Sequence, residues 1–293
     1  MPSETVGRDP VVAIAPYGLR PGPDLGATPL ADCEMPLGCP PALDGGTLAD
    51  LGPEDHAVFH PKSGFYALSR PRLTAKMSLV IAEPYAVHGW HFHLLRLYHR
   101  RFFRILTRRE AFVAAIPNAV FFNHVFAWAT DVPDGIAKTR PASIIASDRD
   151  KLEGHRLRHR IVAAIRAERL DVDVLGRGYQ PFEDKWDGLA PYRYSVIIEN
   201  SRERHYYTEK LIDAFLCRTI PIYWGAPNVR ETFDTGGMIL CETEAALVAA
   251  LRDIPDHDGA GMAAAIEANH ATARGCLASY TRMAELLLRE GAA

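Results

Sequence analysis

From Ala57 onward the chain alternates between two hydrophobic patterns. Short apolar runs bounded by polar, Gly or Pro positions read as buried strands. Longer stretches with apolar residues three and four apart read as amphipathic helices. AVFH and Met77 to Glu83 predict strands, WHFHLLRLYHRRF a helix, Phe103 to Thr107 a strand, RREAFVAAI a helix and Ala119 to Phe122 a strand. The polar, Pro- and Gly-bearing stretch from Thr130 to Pro141 then interrupts the pattern. A second alternation follows: ASIIAS, VDVLG, YSVIIEN, TIPIYWG and MILC read as strands, and GHRLRHRIVAAIRAE and TEKLIDAFLC as helices, with helices filling the remainder. Such alternation predicts parallel sheets. Its double occurrence predicts an α/β fold of two Rossmann-like doubly wound domains, residues 1–135 and 136–293. Residues 1–55 are rich in Pro and Gly and read as an arm, or as loops around a short strand starting at Val11.

Composition narrows the class. Of 293 residues, 48% are hydrophobic and 24% charged, which excludes collagen-like, disordered and disulfide-scaffold proteins. A net charge of -3 leaves no overall basic field for a nucleic acid, so any anion is met by a local site. No apolar run reaches the roughly 20 residues of a transmembrane helix, and the N-terminus lacks the pattern of a signal peptide. Five scattered cysteines without a CxxC pair fit free thiols in a reducing, cytoplasmic compartment. There is no GxGxxG, no phosphate-binding GxxxxGK[ST] and no GxSxG, so kinase, dehydrogenase and serine-hydrolase chemistries lose their main support.

In open α/β sheets, ligands bind beyond the carboxyl ends of the strands. Two strand-to-helix junctions carry unusual charge. In Tyr192 to Asn228 a buried strand ends at Glu199 and Asn200, and Thr208 is the N-cap of a helix burying Leu211, Ile212, Phe215 and Leu216. Lys210 falls in its first turn, unfavourable against the helix dipole unless an anion sits there. Glu209 beside it suits a sugar diol. The same residues also read as a capped helix with solvated charges. In SIIASDRDKLEGHRLRHRIVAAI, Leu157, Ile161 and Ile165 mark a buried face, while Arg156, Arg158, His159 and Arg160 crowd the first turns. That is either a solvated basic face or a departure of the kind functional sites show.

Other constellations are weaker. Asp148-Arg149-Asp150 and Asp171-Val172-Asp173 are DxD triplets of the kind that hold Mg²⁺ or Mn²⁺, but the second opens a strand rather than ending one. His88, His91, His93 and His99 lack a Cys or carboxylate to complete a zinc set and read as helix histidines. The C-terminal MAELLLREGAA reads as an amphipathic helix, docked on the N-terminal domain or in peripheral contact with a membrane.

The segments IENSRERHYYTEKL and TIPIYWGAPN resemble the donor-binding signature of glycosyltransferase family 10, the α1,3/α1,4-fucosyltransferases. IIASDRDKLEGHRLRHRIV and VDVLGRG resemble the flanking motifs, so the resemblance runs over about residues 138–251. It implies a GT-B-like fold, two Rossmann-like domains facing a cleft, and soluble bacterial members of the family. It implies inverting transfer of L-fucose from GDP-β-L-fucose to a hydroxyl of an acceptor glycan, with neither metal nor other cofactor. Carried over to this chain, Arg158, Asn200, Tyr206, Glu209 and Lys210 would bind the donor, with Arg158 and Lys210 also stabilising the leaving diphosphate. Glu83, just past a strand of the looser N-terminal match, would be the general base, with Asp131 a second candidate. Another nucleotide sugar on the same fold, or a non-catalytic relative, fits the same residues.

Overall fold

A computed structural model describes residues 8–66, 73–133, 135–254, 259 and 261–292. The chain divides into two compact units, Met1–His124 with Ala278–Ala293, and Val125–Leu277. The division expected at 135/136 therefore falls after His124, and the last helix leaves the C-terminal domain for the first unit. The polar interruption expected at Thr130–Pro141 is preceded by the apolar residues Val125 to Ala129. These belong to the second unit, because Val125 and Ala129 are buried in its core and Asp213 accepts the backbone N–H groups of Trp128 and Ala129 at 2.8 and 3.0 Å.

In the first unit, β1 (Val12–Ile14), β2 (His56–Phe59), β3 (Lys76–Ile81), β4 (Ile105–Thr107) and β5 (Ala119–Phe121) form one parallel sheet in sequence order. A sheet that always adds its next strand on the same side, through right-handed connections, places those connections on one face. Helices α1 (Tyr85–Tyr98) and α2 (Glu110–Ala115) accordingly share a face, where Phe92, Leu95 and Phe112 meet Ala13, Phe59, Leu79 and Ile105. The alternate strand residues Val12, Ile14, Val58, Val80 and Leu106 point the other way. The C-terminal helix, Ser279–Ala292, covers them with Met283, Ala284 and Leu287. Of the two positions expected for this helix, the structure shows the docked one.

The described part of the Pro/Gly-rich segment is not an arm. It places β1 at the sheet edge and, through short 3-10 turns, buries Leu25, Leu30, Leu43, Leu48 and Leu51 in the core. Residues 1–7, on which the signal-peptide expectation falls, lie outside the described residues. Asp55 ties down the start of β1, accepting from Arg8 and from the backbone of Val11 and Gly52. All five cysteines are free thiols. No helix among the described residues is long and apolar enough to cross a membrane.

The second unit contains β6 (Arg140–Ile145), α3 (Glu153–Glu168), β7 (Val172–Leu175), β8 (Tyr192–Ile198), α4 (Glu209–Leu216), β9 (Ile220–Trp224), β10 (Ile239–Leu240), α5 (Glu244–Asp253) and α6 (Ala263–Cys276). Its parallel sheet has the order β10-β9-β8-β6-β7. The chain winds outward from β6 in one direction and from β8 in the other. Helices therefore cover both faces: α3 and α5 through Leu157, Ile161, Ile165, Leu247 and Leu251, and α4 and α6 through Leu211, Ile212, Phe215 and Ala273. The reversal leaves a crevice beyond the carboxyl ends of β6 and β8, the place where such sheets bind ligands.

Candidate functional site

A cavity of about 240 Å³ occupies that crevice, lined among others by Ala146, Ser147, Arg158, Gly176, Glu209 and Lys210. A larger cavity of about 790 Å³, lined by residues including Lys138, Cys217, Arg218 and His270, lies by the amino ends of β6 and β9. The smaller one holds the convergent charges and sits at the end of the sheet where the chain reverses.

Close backbone packing builds the crevice. Gly154, in the first turn of α3, donates its N–H to the Asn200 carbonyl at 3.1 Å. A Cβ there would lie 1.7 Å from the Glu199 carbonyl oxygen, so only glycine permits the approach. At Gly225 a Cβ would lie 2.7 Å from Glu199 Cγ. Gly176, after β7, has φ +112° and would place a Cβ 2.1 Å from the Ala146 carbonyl oxygen.

Glu199, wholly buried, joins β8 to α4. Its carboxylate accepts the Thr208 N–H at 2.8 Å and the Thr208 hydroxyl at 2.7 Å. Thr208 in turn caps α4, accepting the Lys210 N–H at 3.4 Å. Burial raises the Glu199 pKa against the opposing pull of Lys210, whose Nζ is 3.9 Å away. The sequence motif contains Glu199 but assigns it no role. Its signal is a carboxylate directly after the buried apolar run Val196–Ile198.

Arg158 is 6% exposed and reaches across to the end of β8. Its Nε and Nη2 donate to the Ile198 carbonyl at 3.1 and 2.9 Å, and Nη2 also donates to Asn200 Oδ1 at 2.7 Å. Burial lowers its pKa, with Glu199 acting in the opposite direction; a guanidinium remains cationic regardless. The neighbouring charges of α3 turn elsewhere. Arg156 donates to the carbonyls of Asp150 and Lys151, Arg160 pairs with Glu244, and His159 bonds the Arg149 carbonyl and Tyr179. Arg156, His159 and Arg160 are thus engaged away from the crevice, and Arg158 is the one of the four that lines the cavity.

Lys210 Nζ donates to Glu209 Oε1 at 2.8 Å and Thr208 Oγ1 at 3.2 Å. Burial pushes the Glu209 carboxyl up, but the contact with Lys210 outweighs it and the net shift is downward. His155, in the first turn of α3, is pulled down to about 4 by burial and by Arg158, Arg149 and Lys210, so it is neutral near pH 7.

Of the expected donor-binding residues, the structure brings Arg158, Glu209 and Lys210 to one cavity. Asn200 stands behind Arg158 as its acceptor. Tyr206 is 2% exposed and does not line the cavity. Glu83 belongs to the first unit, two residues past β3, where its Oε1 accepts from the Tyr17 hydroxyl at 3.3 Å. Asp131 is exposed and accepts from Thr130 at 3.1 Å. Asp173 of the second DxD triplet pairs with Arg140 and accepts from Tyr192 at 2.8 Å, as a structural carboxylate. The four helix histidines also have structural surroundings: His91 bonds Tyr66, His93 bonds Tyr85, His99 bonds Asn118, and His88 stacks edge-on against His91.

Two parallel-sheet units, the second with a strand reversal over a crevice lined by Arg158, Glu209 and Lys210, have the GT-B fold. The fold is shared with α,α-trehalose 6-phosphate synthase from Burkholderia multivorans, at a TM-score of 0.56 and 12% identity over 83% of this chain and 73% of that one. Residues 137–243 match the model of the C-terminal part of glycosyltransferase family 10 (fucosyltransferase). The chain is 42% identical over 52 residues to the alpha-(1,3)-fucosyltransferase FucT of Helicobacter pylori, covering 18% of this chain and 11% of that protein. It is 26% identical over 110 residues to a fucosyltransferase-like protein of Arabidopsis thaliana, covering 36% and 21%. The matched segments thus span about a tenth and a fifth of these relatives' own lengths.

Proposed function

We propose that the protein transfers L-fucose, with inversion, from GDP-β-L-fucose to a hydroxyl of an acceptor glycan, without a metal ion. The observation carrying this reading is the convergence of Arg158, Glu209 and Lys210 on the crevice cavity of the stretch that matches family 10. As the glycosyl bond breaks, the sugar gains oxocarbenium character and the diphosphate gains negative charge. Arg158 and Lys210, with the N-terminus of α4, are assigned to that diphosphate as a preorganised cationic environment. Glu209 is assigned to the ribose diol, exchanging its Lys210 contact for the nucleotide. Asn200 orients Arg158. Glu83 is assigned as the general base that takes the proton of the attacking hydroxyl.

Thermal melting against nucleotides and nucleotide sugars, each with and without EDTA, tests the reading. A ligand at 100 times its dissociation constant stabilises by about 2.7 kcal/mol. Stabilisation by GDP and GDP-fucose, indifferent to EDTA, is expected. Stabilisation by UDP-sugars instead, or dependence on a metal, overturns the donor assignment. Donor binding without transfer to any acceptor glycan overturns the catalytic one.

A further inference from the structure

We propose that Lys185 is a third cation of the nucleotide pocket and contacts the diphosphate of the donor. The inference rests on the nucleotide-sugar reading above and adds a residue to it. Lys185 opens the single 3-10 turn Lys185–Gly188, between β7 and β8, and lines the same cavity as Arg158, Glu209 and Lys210.

The turn is firmly placed. The Asp184 N–H donates to Asp187 Oδ2 at 3.0 Å, and the buried hydroxyl of Ser143 donates to the Gly188 carbonyl at 2.7 Å. A Cβ on Gly188 would lie 2.9 Å from Ile145 Cδ1, so the turn sits directly against β6. Lys185 is therefore held at the pocket wall by contacts of its neighbours.

Its ammonium differs from the other two cations. Arg158 is engaged by Ile198 and Asn200, and Lys210 by Glu209 and Thr208. Lys185, half-buried, has neither a hydrogen bond nor an ion pair among the described residues. Asp213 attracts it electrostatically, but Asp213 Oδ1 is engaged by the backbone of Trp128 and Ala129, while Oδ2 is buried with no hydrogen-bond partner. Burial lowers the Lys185 pKa, and Lys210 and Arg158 act in the same direction against the pull of Asp213 and Glu209. A partly buried ammonium without a hydrogen-bond acceptor is costly. Three cations around one cavity leave that cost unrelieved until an anion enters, and a diphosphate has oxygens enough for all three.

The test compares binding of GMP and GDP by titration calorimetry to the intact chain and to Lys185→Gln and Lys185→Arg. Expected is a loss of GDP affinity of about 10- to 100-fold in Lys185→Gln, the worth of one charge-assisted hydrogen bond. GMP affinity falls by less, Lys185→Arg recovers most of the loss, and the unliganded melting temperature does not fall. GDP bound equally by Lys185→Gln and wild type, while Arg158→Gln loses it, overturns the role of Lys185 and leaves the nucleotide reading intact. Failure of the wild-type chain to bind either nucleotide overturns the nucleotide reading, and this inference with it.

Discussion

The Arg158 guanidinium donates both Nε and Nη2 to a single acceptor, the carbonyl oxygen of Ile198, which is the last residue of the central strand β8. The side chain is thereby fixed by backbone rather than by another charge. No hydrogen bond engages Nη1 among the described residues. An arginine held this way is oriented before any anion arrives and loses little freedom on binding one.

That arrangement predicts that charge alone will not replace Arg158. Arg158→Lys keeps the cation but lacks the planar fork, so it cannot meet Ile198 and Asn200 together. On the proposed function, turnover with GDP-fucose falls by about 10²- to 10³-fold, the cost typical of removing one preorganised donor. Steady-state kinetics on the purified variant check this. Turnover within a factor of two of wild type would show that position matters less than charge.

Gly154 predicts a reversal of helix propensity. Gly to Ala inside a helix ordinarily stabilises, by up to about 1 kcal/mol. At position 154 the added methyl lands 1.7 Å from the Glu199 carbonyl, against backbone that cannot yield. Gly154→Ala is expected to destabilise by at least about 1–3 kcal/mol, the usual cost of overpacking. Gly275, in α6, is the control: an added Cβ there would meet nothing within 4 Å, so alanine is expected to be neutral or slightly stabilising. Urea denaturation of the two variants decides it. Equal stability of both would mean that the α3 start moves freely relative to Glu199.

Acid sensitivity follows from the histidines of the first unit. Burial pulls His56, His60, His88 and His91 down to about 4, and His124 to about 3. Lys76 also acts on His56, Lys62 on His60, His88 and His91, and His60, Arg108 and Arg282 on His124. In the folded state they are neutral where the unfolded chain, at about 6.5, takes up protons. The unfolded state therefore binds more protons between about pH 6.5 and 4, and stability is lost as pH falls through that window. Melting measured from pH 7.5 to 4 should show the decline. His124→Gln, which keeps a partner for the Ser279 hydroxyl on the C-terminal helix, should make it shallower. A melting temperature constant down to pH 4.5 would contradict the shifts.

Much of this was legible in the sequence, and the exceptions have physical causes. Strands such as Ile220–Trp224 bury both faces and so appear as apolar runs. Thr208 announced its helix by capping chemistry, and Arg158 drew attention by opposing the dipole. Leu25, Leu30, Leu43, Leu48 and Leu51 were hidden because 3-10 turns deliver them to the core at intervals matching neither period. Lys185 and Asp213 escaped because their meaning lies in which partners they lack, a property of packing. The boundary was placed in the polar stretch Thr130–Pro141, but the preceding apolar residues already belong to the second unit, held by Asp213, a residue about 85 positions later.

The C-terminal helix provides the last prediction. Because the first sheet grows in one direction, its own helices protect one face and leave Val12, Ile14, Val58, Val80 and Leu106 to be covered by something else. The covering helix arrives only after the whole second unit has been made, so the first unit completes its core with the last residues of the chain. Met283, Ala284 and Leu287, spaced three and four apart, are each fully buried there. Leu287→Ala should cost about 2–5 kcal/mol, as large-to-small core changes do, and Leu287→Glu should detach the helix. The loss should be local. Hydrogen exchange is expected to rise in β1 to β4 while β6 to β9 stay protected, because α3 to α6 supply the second unit's cover from within. Exchange rising equally in both sheets would mean that the two units unfold as one, and that the helix serves the whole chain rather than the sheet it lies on.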